Sequence, residues 1–85
     1  MKHAGPDTLA QLAPLLHRLR GMPGLQERKP GIFYRRGGAF LHFHEDPAGL
    51  FADAKLEGRG FQRFAVDTGE QQAGLLEAVA QVLQA

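Results

Sequence analysis

Gly31-Ile32-Phe33-Tyr34-Arg35-Arg36-Gly37-Gly38-Ala39-Phe40-Leu41-His42-Phe43-His44-Glu45-Asp46-Pro47-Ala48-Gly49 is the stretch on which the fold turns. Two glycines between apolar runs are a strong signal for a two-residue hairpin turn. With Gly37-Gly38 as that turn, Arg35 pairs with Phe40, Tyr34 with Leu41, Phe33 with His42 and Ile32 with Phe43. Strand alternation then puts Ile32, Tyr34, Leu41 and Phe43 on one face, and Phe33, Arg35, Phe40, His42 and His44 on the other. The first set predicts a core. The second mixes aromatic and imidazole groups and is the expected binding surface.

Towards the C-terminus, Asp46-Pro47-Ala48-Gly49 suits a four-residue hairpin connection that pairs Glu45 with Leu50. Phe43 then faces Ala52 and Leu41 faces Ala54 in the core, while His44 faces Phe51 and His42 faces Asp53 outside. Gly58-Arg59-Gly60 reads as a three-residue loop with Gly60 in the left-handed position of a bulge. That loop sets Ala54 against Phe64, Ala52 against Val66 and Lys55 against Arg63. Like charges directly opposed are unfavourable, so this register is the weakest of the three. Thr68 and Gln71 form a capping box at the start of a helix. The stripe Ala73, Leu76, Val79, Ala80 and Leu83 predicts its buried side, with Gln72, Glu77, Gln81 and Gln84 away from it.

Towards the N-terminus, Leu25 to Lys29 predicts a short edge strand, because Pro30 could not serve a central one. Leu9, Leu12, Leu16 and Leu19 recur at helical spacing, with Asp7 as N-cap and Gly21 with Pro23 as the stop. Pro14 removes a hydrogen bond and crowds the carbonyl of Ala10, so a kink or a break into two pieces is expected. Met1 to Pro6 is expected to be a mobile tail. The architecture that follows is a single α+β domain over residues 1–85. It runs helix, three or four antiparallel strands, helix, as a β-meander with both helices on one face.

Composition narrows the function. Hydrophobic residues at 44% and charged residues at 22% describe an ordinary globular chain, and 85 residues allow a single core. The absence of cysteine excludes disulfides, thiolate metal sites and thiol redox chemistry. There is no serine, and Thr8 and Thr68 have helix-start roles, so hydrolytic nucleophiles are nearly absent. No apolar run spans a membrane and the first residues lack a signal-peptide core, so a cytoplasmic location is expected. Net charge is +1, with Lys and Arg concentrated before Gly37 and acidic residues after it. This asymmetry fits charge complementarity within the fold or between subunits, and it also fits a nucleic-acid face.

On the second face fall Phe33, Phe40, Phe51 and Phe61, a patch that a small monomer rarely leaves in water. Three arrangements account for it. A second copy of the chain closes the face as a homodimer, the face binds a ligand or single-stranded nucleic acid, or a helix crosses over to cover it. In the first case Phe40 and Phe51 could be changed to serine without unfolding the core. In the second the phenylalanines stack on bases while Arg35, Lys55 and Arg63 meet phosphates.

His42 and His44 project the same way, about 6.5 to 7 Å apart at their Cα atoms. With Asp53 opposite His42, they are candidate ligands for a transition metal such as zinc, in a two-histidine, one-carboxylate set. The alternative is two packed rings with Asp53 accepting a hydrogen bond from His42. His3 and His17 have no partner at useful spacing and are expected in solvent.

The runs Pro30 to Arg36, Phe40 to Asp46 and Gly49 to Asp53 resemble short bacterial proteins with a His-x-His strand. Distantly, they resemble the luciferase-like domain family, in which such a strand is followed by an acidic turn. The resemblance spans the middle third of the chain and the last helix in outline. It implies that His42 and His44 belong to a shared site, and it implies no particular activity.

Overall fold

A computed structural model describes residues 1–56 and 60–84. Along the chain lie β1 (Lys2–His3), α1 (Pro6–Gln11), α2 (Ala13–Arg20), β2 (Gln26–Lys29), β3 (Ile32–Arg35), β4 (Gly38–Asp46), β5 (Gly49–Ala54), β6 (Gln62–Ala65) and α3 (Gly69–Gln84). Strands β2 to β6 form an antiparallel meander in sequence order, and β1 pairs with β4. The helices pack against the sheet over one continuous core that includes Leu12, Leu16, Leu19, Leu41, Phe43, Val66, Leu75 and Val79. The architecture is the α+β meander expected. Among the described residues no helix is long and apolar enough to cross a membrane.

The first helical segment breaks in two at Leu12, as Pro14 requires. Pro14 occupies the first turn of α2, where its missing N–H would have had no partner inside the helix. Asp7 is not the N-cap. Gly5 holds that position, Pro6 is the first helical residue, and Asp7 lies in the first turn, where its charge suits the helix dipole.

The β4–β5 hairpin has the expected register throughout: Leu41 faces Ala54, His42 Asp53, Phe43 Ala52, His44 Phe51 and Glu45 Leu50. Asp46 Oδ2 accepts a hydrogen bond from Ala48 N at 3.1 Å, the local side-chain turn that an Asp in this place favours. The capping box also forms. Gln71 N donates to Thr68 Oγ1 and Thr68 N donates to Gln71 Oε1, each at 3.1 Å.

The β3–β4 hairpin departs from expectation. Arg36 and Gly37, at φ of 54° and 82°, form the turn, and Gly38 is already paired with Arg35. Positive φ at both central positions is what a tight hairpin needs to match strand twist. Tyr34 faces Ala39 and Phe33 faces Leu41, so Phe40 has no counterpart and the strand bulges there. The shift carries Phe33 into the core at 1% exposure. Tyr34 moves out to lie under the Arg28 guanidinium, 4.6 Å from the ring centroid. At the bulge the consecutive residues Phe40 and Leu41 are both buried, which strict alternation would forbid on a sheet with one covered face.

The β5–β6 register is offset by two residues from expectation, with Phe64 facing Ala52 and Arg63 facing Asp53. The even offset keeps Phe64 packed against the core, and it replaces the opposed charges of Lys55 and Arg63 with an ion pair. The three-residue loop expected at Gly58-Arg59-Gly60 falls partly outside the described residues, although Gly60 does take a positive φ of 119°.

On α3 the buried seam runs through Leu75 and Val79, with Leu76, Val82 and Leu83 beside it, while Ala73 is exposed. Gln72 turns inward, and its Nε2 donates to the Val66 carbonyl at 3.0 Å. Finally, the segment Met1 to Pro6, expected as a mobile tail, lies along the sheet and enters α1. Lys2 pairs with Glu45 and His3 with His44 along the end of β4 that β3 leaves uncovered.

Candidate metal site

The site is built on β4, where alternation sends His42 and His44 to one side and the core residues Leu41 and Phe43 to the other. β5 supplies Asp53 opposite His42, and β6 supplies Arg63 opposite Asp53. The pairing of β1 with β4 brings His3 beside His44. The ring centroids of His3 and His44 are 4.8 Å apart, those of His42 and His44 also 4.8 Å, and those of His3 and His42 5.7 Å. His3 therefore has two imidazole partners, contrary to expectation, while His17 is exposed on α2 as expected.

Among the described residues, His3, His42 and His44 offer one ligand nitrogen each within 4.8 Å of one another. His42 Nδ1 and His44 Nε2 are 2.8 Å apart. Two nitrogens on one tetrahedral ion, with metal–nitrogen bonds of about 2.0 to 2.1 Å, stand about 3.3 Å apart. The strand pair is thus already near the bite of a metal, and His3, exposed on β1, offers a nitrogen within 4.8 Å of both. Asp53, the expected carboxylate ligand, stands beside this group and is engaged by Arg63. Its Oδ1 and Oδ2 accept from Arg63 Nε at 2.8 Å and Nη2 at 2.9 Å, and Oδ2 also lies 3.2 Å from His44 Nε2. Oδ2 thus faces the same His44 nitrogen that faces His42, which puts Asp53 on the ligand side of that imidazole and not behind it.

Electrostatics favour the ligand-competent form. Burial, followed by the neighbouring His44, pushes the His42 pKa below its ordinary value, so its ring is neutral with a lone pair at neutral pH. The hydrogen bonds from Arg63 hold the Asp53 carboxyl below the usual carboxylate range against the opposing effect of burial. His44 Nδ1 is buried with no hydrogen-bond partner among the described residues. Phe61, 45% exposed, covers His42 with its ring centroid 4.6 Å away.

The Asp53–Arg63 pair is open to a direct check on metal-free protein. Asp53 has its pKa lowered on folding, so it contributes stability above the ordinary carboxylate value of 3.8, and that contribution is lost as pH falls through the folded value. Arg63→Ala removes the largest lowering influence and leaves burial, which raises the pKa. The variant is therefore expected to unfold at lower urea than the parent at pH 7, with the gap narrowing at an acid pH below the lowered folded value of Asp53, where the carboxyl is protonated in both. A gap of equal size at both pH values would show that Arg63 packs rather than pairs.

The other residues of the expected binding face are dispersed. Phe33 and Phe40 lie in the core, Phe51 is half-buried, and only Phe61 of the four is largely exposed. Arg35 and Lys55 line a shallow groove with Gly38, Ala39, Phe40 and Leu56. The Arg35 guanidinium there is 5.9 Å from the Phe40 ring centroid. His3 was the residue that sequence reasoning missed. Nothing local to Met1-Lys2-His3 marks it as a strand, and its partner lies roughly forty residues away.

Comparison of the chain with protein-family models, with curated proteins and with solved structures returns no match.

Proposed function

We propose that this protein is a transition-metal-binding domain that holds its ion through His3, His42 and His44. The observation that carries the reading is the convergence of three imidazoles from two strands on one patch of sheet, two of them already 2.8 Å apart. Imidazole donors without thiolate suit zinc, copper, nickel or iron(II), and three protein ligands leave a position open to water or another small ligand. Asp53, held by Arg63, lies against the same cluster, with its Oδ2 3.2 Å from His44 Nε2. Self-association and base stacking were expected from four phenylalanines on an open face, and with Phe33 and Phe40 buried that patch is reduced to Phe51 and Phe61.

Titration of the metal-free protein with zinc, followed by the histidine ring resonances in NMR spectra, tests the reading. Stoichiometric shifts are expected at His3, His42 and His44 and not at His17. Single changes of His42 or His44 to alanine are expected to weaken binding about a hundredfold or more, since even the loss of a supporting group costs about 10- to 100-fold. Unchanged ring signals at equimolar zinc would leave three packed imidazoles and no metal site.

A further inference from the structure

We infer that the bound ion is also a clasp: it fastens β1 to β4, so that metal occupancy governs whether the first residues lie along the sheet. This rests on the three-histidine site proposed above. Two of the ligands belong to β4, a central strand flanked along most of its length and anchored by the buried Leu41 and Phe43. The third belongs to β1, which little else holds. Both residues of β1 are exposed. The segment is tied by its two-residue pairing, by Ala4 N donating to the Phe43 carbonyl at 3.0 Å, and by Gly5 N donating to Glu45 Oε1 at 2.6 Å.

The remaining tethers are weak. Two are ion pairs, the Met1 amino group 3.3 Å from Asp46 Oδ1 and Lys2 Nζ 3.8 Å from Glu45 Oε2, and as surface pairs both are screened by water and salt. Ala4 packs against the core, but with a single methyl group. A coordinate bond from His3 would therefore be the strongest link between β1 and the rest of the domain. Binding and docking are then linked, and by thermodynamic reciprocity each favours the other by the same factor.

The clasp also has something to guard. β3 covers β4 from Gly38 to His42, and β1 covers His44 and Glu45 on the same edge. Without β1 the backbone groups there would form an unpaired strand edge, a template for pairing with another chain. Metal loss would uncover that edge.

Amide hydrogen exchange at Ala4 and Gly5, measured with and without saturating zinc, decides the matter. Exchange is expected to slow about tenfold or more in zinc, within the usual range of such couplings, and to be insensitive to zinc in His3→Ala. In the reciprocal arm, Glu45→Ala removes the Gly5 anchor while keeping all three histidines, and zinc affinity is expected to fall by a similar factor. Circular dichroism and the urea transition establish that the variant is folded. Zinc that shifts the His42 and His44 rings but leaves Ala4 and Gly5 exchange unchanged would overturn the clasp and spare the metal site. Zinc that shifts neither ring would remove both.

Discussion

Phe33→Ser is expected to unfold the protein or bring it close to unfolding, with a loss of about 3–5 kcal/mol, the range for deleting a buried phenylalanine side chain. Phe33 is 1% exposed and sits in the core opposite Leu41. Small domains have only about 5–15 kcal/mol of net stability, so such a loss removes a large share of it. Serine would also bury a hydroxyl where a ring had been, adding the desolvation of an unpaired group. Phe40→Ser, at 4% exposure, is expected to behave similarly, whereas Phe61→Ser, at 45%, should barely move the transition. Urea unfolding of the three variants gives the ranking. If Phe33→Ser matched the parent in midpoint and slope, the bulged register of β3 on β4 would be wrong and the ring would lie on the open face.

The second large effect concerns α3. Leu75→Ala is expected to cost about 2–5 kcal/mol, as for other fully buried leucines, because Leu75 is 0% exposed and belongs to the core shared by helix and sheet. Ala73→Gln, two residues earlier on an exposed position, should change stability by no more than about 0.5 kcal/mol. The pair separates two orientations of the helix. Had the seam run through Ala73, the glutamine would be the damaging change and Leu75 the harmless one.

These two variants fall where the sequence was hardest to read. Arg36, Gly37 and Gly38 offer two adjacent places for a tight turn, and moving the turn by one residue shifts the pairing by two, which by itself preserves the faces of β3. The bulge at Phe40 adds the odd residue that exchanges the inner and outer faces of β3, while Leu41 and Phe43 stay in the core as expected. On α3, Leu75 and Leu76 are neighbours, and choosing between them rotates the inferred seam by about 100°. The β5–β6 offset was invisible to alternation, since an even shift preserves every face. Its one clue was electrostatic, in the opposed Lys55 and Arg63 that the true register avoids.

Where turn chemistry and alternation agreed, the reading was sound. Asp46-Pro47-Ala48-Gly49 admitted one register for β4 on β5, and so His42, His44 and Asp53 were brought to one face in advance. Thr68 and Gln71 marked the start of α3 by reciprocal hydrogen bonds, a purely local device. Pro14 announced the break between α1 and α2. The histidine cluster was therefore legible in two of its three members. His3 could not be found, because a two-residue strand has no period to detect.

The path by which the chain folds follows from the placement of β1. Strands β2 to β6 each pair with a sequence neighbour, and such hairpins form on a scale of about 1–10 μs. Lys2 must instead meet Glu45 across roughly forty residues, a closure whose entropic cost grows with the logarithm of the loop. It also needs an edge that exists only after β4 has been laid down. The meander should accordingly assemble first, and the earliest residues in the sequence should be the last to be placed.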